Sequence, residues 1–284
     1  MSSPLVIAHR GASAYRPENT IEAFELGLAQ GADGIEFDLV TTKDEELIIR
    51  HENSLSGTTN VKDLPLLRTL KREEEKNQSS DWFSEDFTIT EIKQLRAVER
   101  LPELRPGSAK FDGQFEVPTF KELLSQDFIK DKSLVVELKG GSHLDHLSSS
   151  IGELTARVIR SIEPKCKLII ESFDLEVLLD AKEQLEGVEA SFLYALEGTT
   201  LAHVDLYYLA ENFAGLTISL EMLFSEDWVS ACHEAGLQVW AYTARAEDAE
   251  TSIDEYYERI IETGVDAIFA DHPDLLRRVL ADRG

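Results

Sequence analysis

Cysteine is nearly absent from this chain of 284 residues, with Cys166 and Cys232 the only two. Two isolated thiols build neither a disulfide framework nor a zinc cluster, and both read as apolar fillers. Basic residues are also scarce: 28 stand against 54 acidic ones, for a formal net charge of −26. That balance argues against nucleic acid and against an anionic membrane surface as partners. No segment approaches the roughly 20 consecutive apolar residues of a membrane span, so no stable membrane insertion is expected. The start, Met1-Ser2-Ser3-Pro4, leads into an apolar segment with neither a basic n-region nor an apolar h-region. The expectation is a soluble cytoplasmic protein; an exported form would need a signal removed from this chain.

What is present is core and charge. An apolar content of 43% supports a folded globule. Strand-like runs occur at Leu5–Ala8, Gly34–Val40, Leu134–Leu138, Lys167–Glu171, Glu189–Leu193, Gly215–Leu220, Leu237–Tyr242 and Asp266–Ala270. Each is short and β-rich, as buried parallel strands are. Helical patterns lie between them, opening at Thr20, spanning Leu147–Ile162 and starting again at Asp174, with Asp174, Ser225 and Asp248 as expected N-caps. Eight strands each followed by a helix predict an α/β fold, a closed (β/α)8 TIM barrel. The fifth unit is the weakest, because Leu201–Asn212 is a poor helix. Residues 1–284 therefore read as one barrel domain with an insertion over about 52–116. That insertion follows a short return at Glu46–Arg50 and carries a charged tract, Lys71–Lys76, then Asp81-Trp82-Phe83 and a helix from Thr90. Loops at strand carboxyl ends line the active site of a barrel, so the insertion is expected to cover or shape the pocket.

Chemistry-bearing residues crowd the strand ends. His9-Arg10-Gly11 closes the first strand, Glu36-Phe37-Asp38 lies in the second, and His51 closes the short return. Alternate residues of a strand share a face, so Glu36 and Asp38 point the same way, as do Glu137 and Lys139. Glu36, Asp38 and Glu137 can then converge on one hard divalent cation, Ca2+ or Mg2+. His9, His51, Arg10 and Lys139 would surround its open side. A helix cap or a surface ion pair explains any one of these carboxylates. It does not explain three carboxylates, two histidines and two cations on one rim. Such a set suits phosphodiester hydrolysis, which needs a proton acceptor, a proton donor and positive charge for the phosphate. Phe173, after the fourth strand, and Trp240, on the seventh, are placed to wall the pocket. Gly11 reads as a turn or close-approach glycine, Glu18 and Asn19 as caps or supporting residues, and Asp271 as a pocket-facing strand end.

In this order the residues resemble the glycerophosphodiester phosphodiesterase family. The resemblance rests on His9-Arg10-Gly11-Ala12-Ser13, Pro17-Glu18-Asn19-Thr20, Glu36-x-Asp38, His51 and Thr58-Thr59-Asn60-Val61. It continues through Val117-Pro118-Thr119-Phe120, Glu137-Leu138-Lys139 and Asp266–Pro273. The insertion, with Asp81-Trp82-Phe83 and Asp86-Phe87-Thr88, is most similar to the bacterial subgroup with a longer insertion, often exported and calcium-dependent. Glu52 stands where the acidic neighbour of the second histidine is more usually Asp. The resemblance implies a metal-dependent enzyme that splits glycerophosphodiesters into an alcohol and sn-glycerol 3-phosphate. In it His9 and His51 are the acid/base pair, Glu36, Asp38 and Glu137 the metal ligands, and Arg10 and Lys139 bind phosphate. Two other readings compete. One is a lysophospholipase D-like activity, which needs an apolar rim such as Leu64, Leu66, Leu67, Trp82 and Phe83 would offer. The other is a barrel that binds phosphodiesters without hydrolysing them.

Overall fold

Alternation along the strands decides the two cores of the barrel. A computed structural model of the chain describes residues 3–74 and 79–283. Its eight parallel strands are β1 (Leu5–His9), β2 (Gly34–Thr41), β3 (Ser133–Leu138), β4 (Lys167–Ser172), β5 (Ala190–Leu196), β6 (Gly215–Ser219), β7 (Gln238–Ala244) and β8 (Ala267–Ala270). Each pairs with the next, and β8 pairs with β1, closing the (β/α)8 barrel.

The outward residues Val6, Ala8, Ile35, Phe37, Leu39, Leu134, Val136 and Leu138 pack under the helices in the main core. The inward residues Ile7, Val135, Ile169, Leu193, Trp240, Ala267 and Phe269 form a second apolar cluster inside the barrel. With a side-chain period of two, the next inward positions are His9, Glu137, Glu171, Tyr242 and Asp271. An apolar layer thus floors a polar one at the carboxyl ends of the strands.

Local hydrogen bonding shifts several helix starts from the expected places. Ser150 accepts from the Glu153 N–H, so that helix runs Ile151–Ile162 and not from Leu147. Asp174 caps Leu175–Gln184 as expected. Ser225 does not cap; it ends the helix Leu220–Ser225, and Asp227 caps the following Trp228–Ala235. Asp248 ends a 3₁₀ turn, while Ser252 caps Ile253–Glu262 through a capping box with Glu255. In each case the hydroxyl or carboxylate nearest the first free N–H groups takes the cap. The fifth unit holds a 3₁₀ turn and the helix Leu206–Asn212.

The described residues of 52–116 add no barrel unit. They follow the strand Leu47–Ile49, which runs antiparallel to β2. Leu55, Val61, Leu67, Trp82, Phe87, Ile92 and Leu95 build a separate core on Val40 and Ile48. The Trp82 indole N–H donates to the Leu67 carbonyl at 2.8 Å. The helix expected from Thr90 is a single turn, Ile89–Ile92, capped by Thr88. Burial of Leu67, Trp82 and Phe83 removes them as an exposed apolar rim. The side chain of Leu66 and the last two residues of the tract Lys71–Lys76 lie outside the described residues. No helix among the described residues is long and apolar enough to cross a membrane.

Candidate active site

The turn after β1 is built by backbone geometry that few residues accept. Arg10 has φ +56° and Gly11 φ +82°. A Cβ on Gly11 would lie 2.5 Å from the Ala23 carbonyl carbon, so both conformation and space demand glycine. The turn lets the Arg10 backbone N–H donate to Glu36 Oε2 at 2.9 Å. His9, buried at the end of β1, places Nδ1 2.6 Å from Asp271 Oδ1. Its Nε2 lies 4.0 Å from Glu36 Oε2. Burial and then Arg10 lower the His9 pKa to about 4, against the opposing pull of Asp271. Despite burial, Asp271 is held well below the usual carboxylate range by His9, Arg105 and Arg245.

Three buried carboxylates sit beside this histidine. Glu36 and Asp38 share the inner face of β2, and Asp38 is in register with Glu137 on β3. One oxygen from each of Glu36, Asp38 and Glu137 lies within 4.8 Å of the others. Lys139 Nζ is 2.7 Å from Asp38 Oδ1 and also pairs with Glu137. Asn19 Nδ2 donates to Asp38 Oδ2 at 2.8 Å, with Arg10 Nε 3.5 Å away. Burial alone would raise Asp38, but Lys139, His51 and Arg10 hold it well below its ordinary value. Glu36 and Glu137 are pushed up, first by burial and then by their acidic neighbours. Three hard oxygen donors with a single ammonium among them fit a divalent cation of the Ca2+ or Mg2+ kind.

The second histidine is placed by the insertion. His51 Nδ1 lies 2.6 Å from Glu52 Oε1. Arg100 grips both Glu52 oxygens at 2.7 Å and both Glu18 oxygens at 2.7 Å. Glu18 also accepts from Arg10 Nη1 at 3.1 Å. Thr20, and neither Glu18 nor Asn19, caps the helix Ile21–Ala29. His9, Arg10, Glu36, His51, Glu137 and Lys139 all line one cavity of about 780 Å³.

The sequence matches the Glycerophosphoryl diester phosphodiesterase family over residues 9–275. The chain belongs to that family. Among its relatives, the glycerophosphodiester phosphodiesterase of Caldanaerobacter subterraneus subsp. tengcongensis is 30% identical over 99% of both chains. A Bacillus subtilis glycerophosphodiester phosphodiesterase is 28% identical over 97% of this chain and 86% of its own. Two solved structures share the fold. A putative glycerophosphoryl diester phosphodiesterase from Silicibacter pomeroyi has TM-score 0.75 and 24% identity, covering 100% of this chain and 95% of its own. An Oleispira antarctica phosphodiesterase, solved with the product sn-glycerol-3-phosphate, has TM-score 0.72 and 23% identity, covering 98% and 97%.

Within this glycerophosphodiester phosphodiesterase-family barrel, one expected pocket residue is elsewhere. Trp240 belongs to the apolar floor and packs 5.9 Å from the Phe269 ring; it lines a hollow at the amino-terminal end of the barrel beside Leu5, Ser133 and Gln238. Tyr242, one inward position further along β7, lines the active-site cavity instead, with its ring 5.6 Å from Phe173. Phe173 does reach the cavity wall. Sequence reasoning missed Arg245, which lines the cavity and lies 3.1 Å from Asp271 Oδ2. It also missed Glu171, a buried carboxyl raised well above its usual value by burial and then by Glu137. Counting inward positions by twos from Trp240 and Ile169 would have found Tyr242 and Glu171. No local pattern announces Arg100 or Arg105.

Proposed function

We propose that this protein hydrolyses glycerophosphodiesters to an alcohol and sn-glycerol 3-phosphate, with His9 and His51 as the acid/base pair and Glu36, Asp38 and Glu137 holding a divalent cation. The observation that carries this reading is the pairing of both imidazoles with carboxylates through Nδ1, on one cavity with the carboxylate cluster. A carboxylate on Nδ1 fixes the ring and leaves Nε2 to take or give a proton. One histidine accepts a proton from the attacking hydroxyl, and the other delivers one to the departing alcohol. Arg10 offers a planar fork to the phosphate and Lys139 a compact charge, which suits a substrate that the net charge of −26 would otherwise repel. A cation in the Glu36–Asp38–Glu137 cluster would polarise a phosphate oxygen and neutralise developing charge. Phe173 and Tyr242 form an aromatic stretch of one wall.

The name of the Caldanaerobacter relative, with 99% coverage of both chains, supports the same substrate class. The lysophospholipid reading loses the apolar rim proposed for it, since Leu67, Trp82 and Phe83 are buried. The test is release of glycerol 3-phosphate from glycerophosphocholine and glycerophosphoethanolamine, with Ca2+, Mg2+ or EDTA. His9→Ala and His51→Ala should each lower kcat by about a hundredfold or more while the protein stays folded. Near-normal turnover in either variant would remove that histidine from the mechanism. Cleavage of lysophospholipid alone would move the substrate class.

A further inference from the structure

Each histidine of the site leans on a carboxylate, and each carboxylate leans on an arginine from the same loop of the insertion. Arg100 holds Glu52 through two contacts of 2.7 Å, and Glu52 holds His51. Arg105 Nη2 lies 2.6 Å from Asp271 Oδ2, and Asp271 Oδ1 holds His9. Arg105 is itself buried, with Nε 2.7 Å from Glu247 and Nη1 donating to the Ser13 carbonyl at 3.2 Å. Neither arginine is among the residues lining the main cavity around the carboxylates. Both line a smaller cavity of about 250 Å³ behind His9 and Arg10, where their forks are occupied by the protein acceptors Glu18, Glu52, Glu247 and Asp271.

The loop that carries them is braced. Ala97 N–H donates to the Phe115 carbonyl and Gly113 N–H to the Ala97 carbonyl, both at 2.9 Å. Glu99 N–H donates to Asp112 Oδ1 at 2.7 Å, and Arg105 N–H to the Leu101 carbonyl at 2.8 Å. Arg16, from the turn after β1, stacks 3.8 Å over the Phe111 ring. A braced loop can fix a carboxylate more sharply than a free side chain could.

We propose that Arg100 and Arg105 are paired positioning residues, through which the insertion sets the ring orientation and tautomer of His51 and His9 respectively. The proposal rests on the two-histidine reading of the site and assigns the insertion a part in it. Arg100 takes both Glu52 oxygens, the bidentate geometry that arginine supplies and lysine does not, while Arg105 spreads its donors over Asp271, Glu247 and the Ser13 carbonyl. Each bridge also ties the insertion to the barrel, because Arg100 reaches Glu18 and Arg105 reaches Asp271.

The experiment combines kinetics with ring-nitrogen NMR on protein labelled with 15N-histidine, for Arg100→Met, Arg105→Met and Arg105→Lys. Arg100→Met should lower kcat about tenfold or more with KM within about threefold, and should move the ring signals of His51 while leaving those of His9. Arg105→Met should do the reverse. If it does not fold, Arg105→Lys keeps a buried charge, and a shifted His9 signal in that variant carries the same conclusion. Unchanged kcat in Arg100→Met, a rise in KM alone, or a loss of kcat with both ring signals unmoved would overturn the proposal. The NMR arm needs no substrate. Failure of the wild-type enzyme to cleave glycerophosphodiesters would therefore count against the assigned reaction, while the ring signals would still decide whether the arginines set the imidazoles.

Discussion

A divalent cation should stabilise this fold measurably, because its carboxylate cluster is short of positive charge. Glu36, Asp38 and Glu137 are buried with oxygens within 4.8 Å of one another, and among the described residues Lys139 and the Arg10 guanidinium are the cations that pair with these three carboxylates. Binding to the folded state alone stabilises it by about 2.7 kcal/mol at an ion concentration ~100 times Kd. Unfolding entropy of about 2.1 cal/mol/K per residue, over 284 residues, comes to about 0.6 kcal/mol/K. The expected rise in Tm is therefore about 4–5 °C. Glu36 and Glu137 have folded pKa values raised by burial and acidic neighbours. In ion-free protein, their contribution is complete below the unfolded value of about 4.3 and is lost as pH rises through the raised folded values. A cation needs the carboxylates ionised, so the rise in Tm should grow with pH over that window. The assay is calorimetry on EDTA-stripped protein titrated with Ca2+ or Mg2+, beside Glu137→Gln. A flat Tm up to millimolar concentrations of both ions would refute the metal site. So would an undiminished rise in Glu137→Gln.

Three further outcomes follow from the fold. Trp240→Phe should leave KM and kcat within about twofold and cost about 1–2 kcal/mol in urea unfolding, since a floor residue trades packing for a small cavity; a large change in KM would return Trp240 to the substrate pocket. Trp82→Ala should destabilise by about 3–5 kcal/mol and abolish activity, because it empties the core from which Arg100 and Arg105 are delivered. A loss below about 1 kcal/mol would mean that the insertion has no core of its own. Glu18, buried between Arg10 and Arg100, has its pKa lowered from 4.5 to about 2 although burial alone would raise it. Its contribution, about 3 kcal/mol, is present above the unfolded value and lost as pH falls from 4.5 toward 2, so Glu18→Gln should flatten the stability profile there. An unchanged profile in that variant would discount the pairing.

Much of the molecule was legible locally because barrel strands advertise themselves. Runs such as Gly34–Thr41 and Ser133–Leu138 are apolar, short and β-rich, and alternation puts Glu36 and Asp38 on one face, while the register of β2 with β3 brings Glu137 beside them. His9 and His51 were visible for a similar reason, as titratable residues ending apolar runs. Trp240 was misplaced because alternation gives the face of a strand and not the height along the barrel axis. Only the register of β7 with its neighbours puts Trp240 in the floor and Tyr242 in the wall. The N-caps at Ser225 and Asp248 failed on a local ambiguity: Asp227 and Ser252 lie a few residues on and have the same capping chemistry.

By itself, then, the sequence determined the barrel and placed Glu36 and Asp38 together on one strand face and His9 and His51 at the ends of apolar runs, since these follow from side-chain periodicity and residue type. Tertiary structure alone decided what holds them. His9 meets Asp271 across 262 residues, Arg105 meets Asp271 across 166, and Arg100 meets Glu18 across 82. Such pairs exist only once β8 closes against β1 and the insertion folds back over the rim, and no local pattern encodes closure.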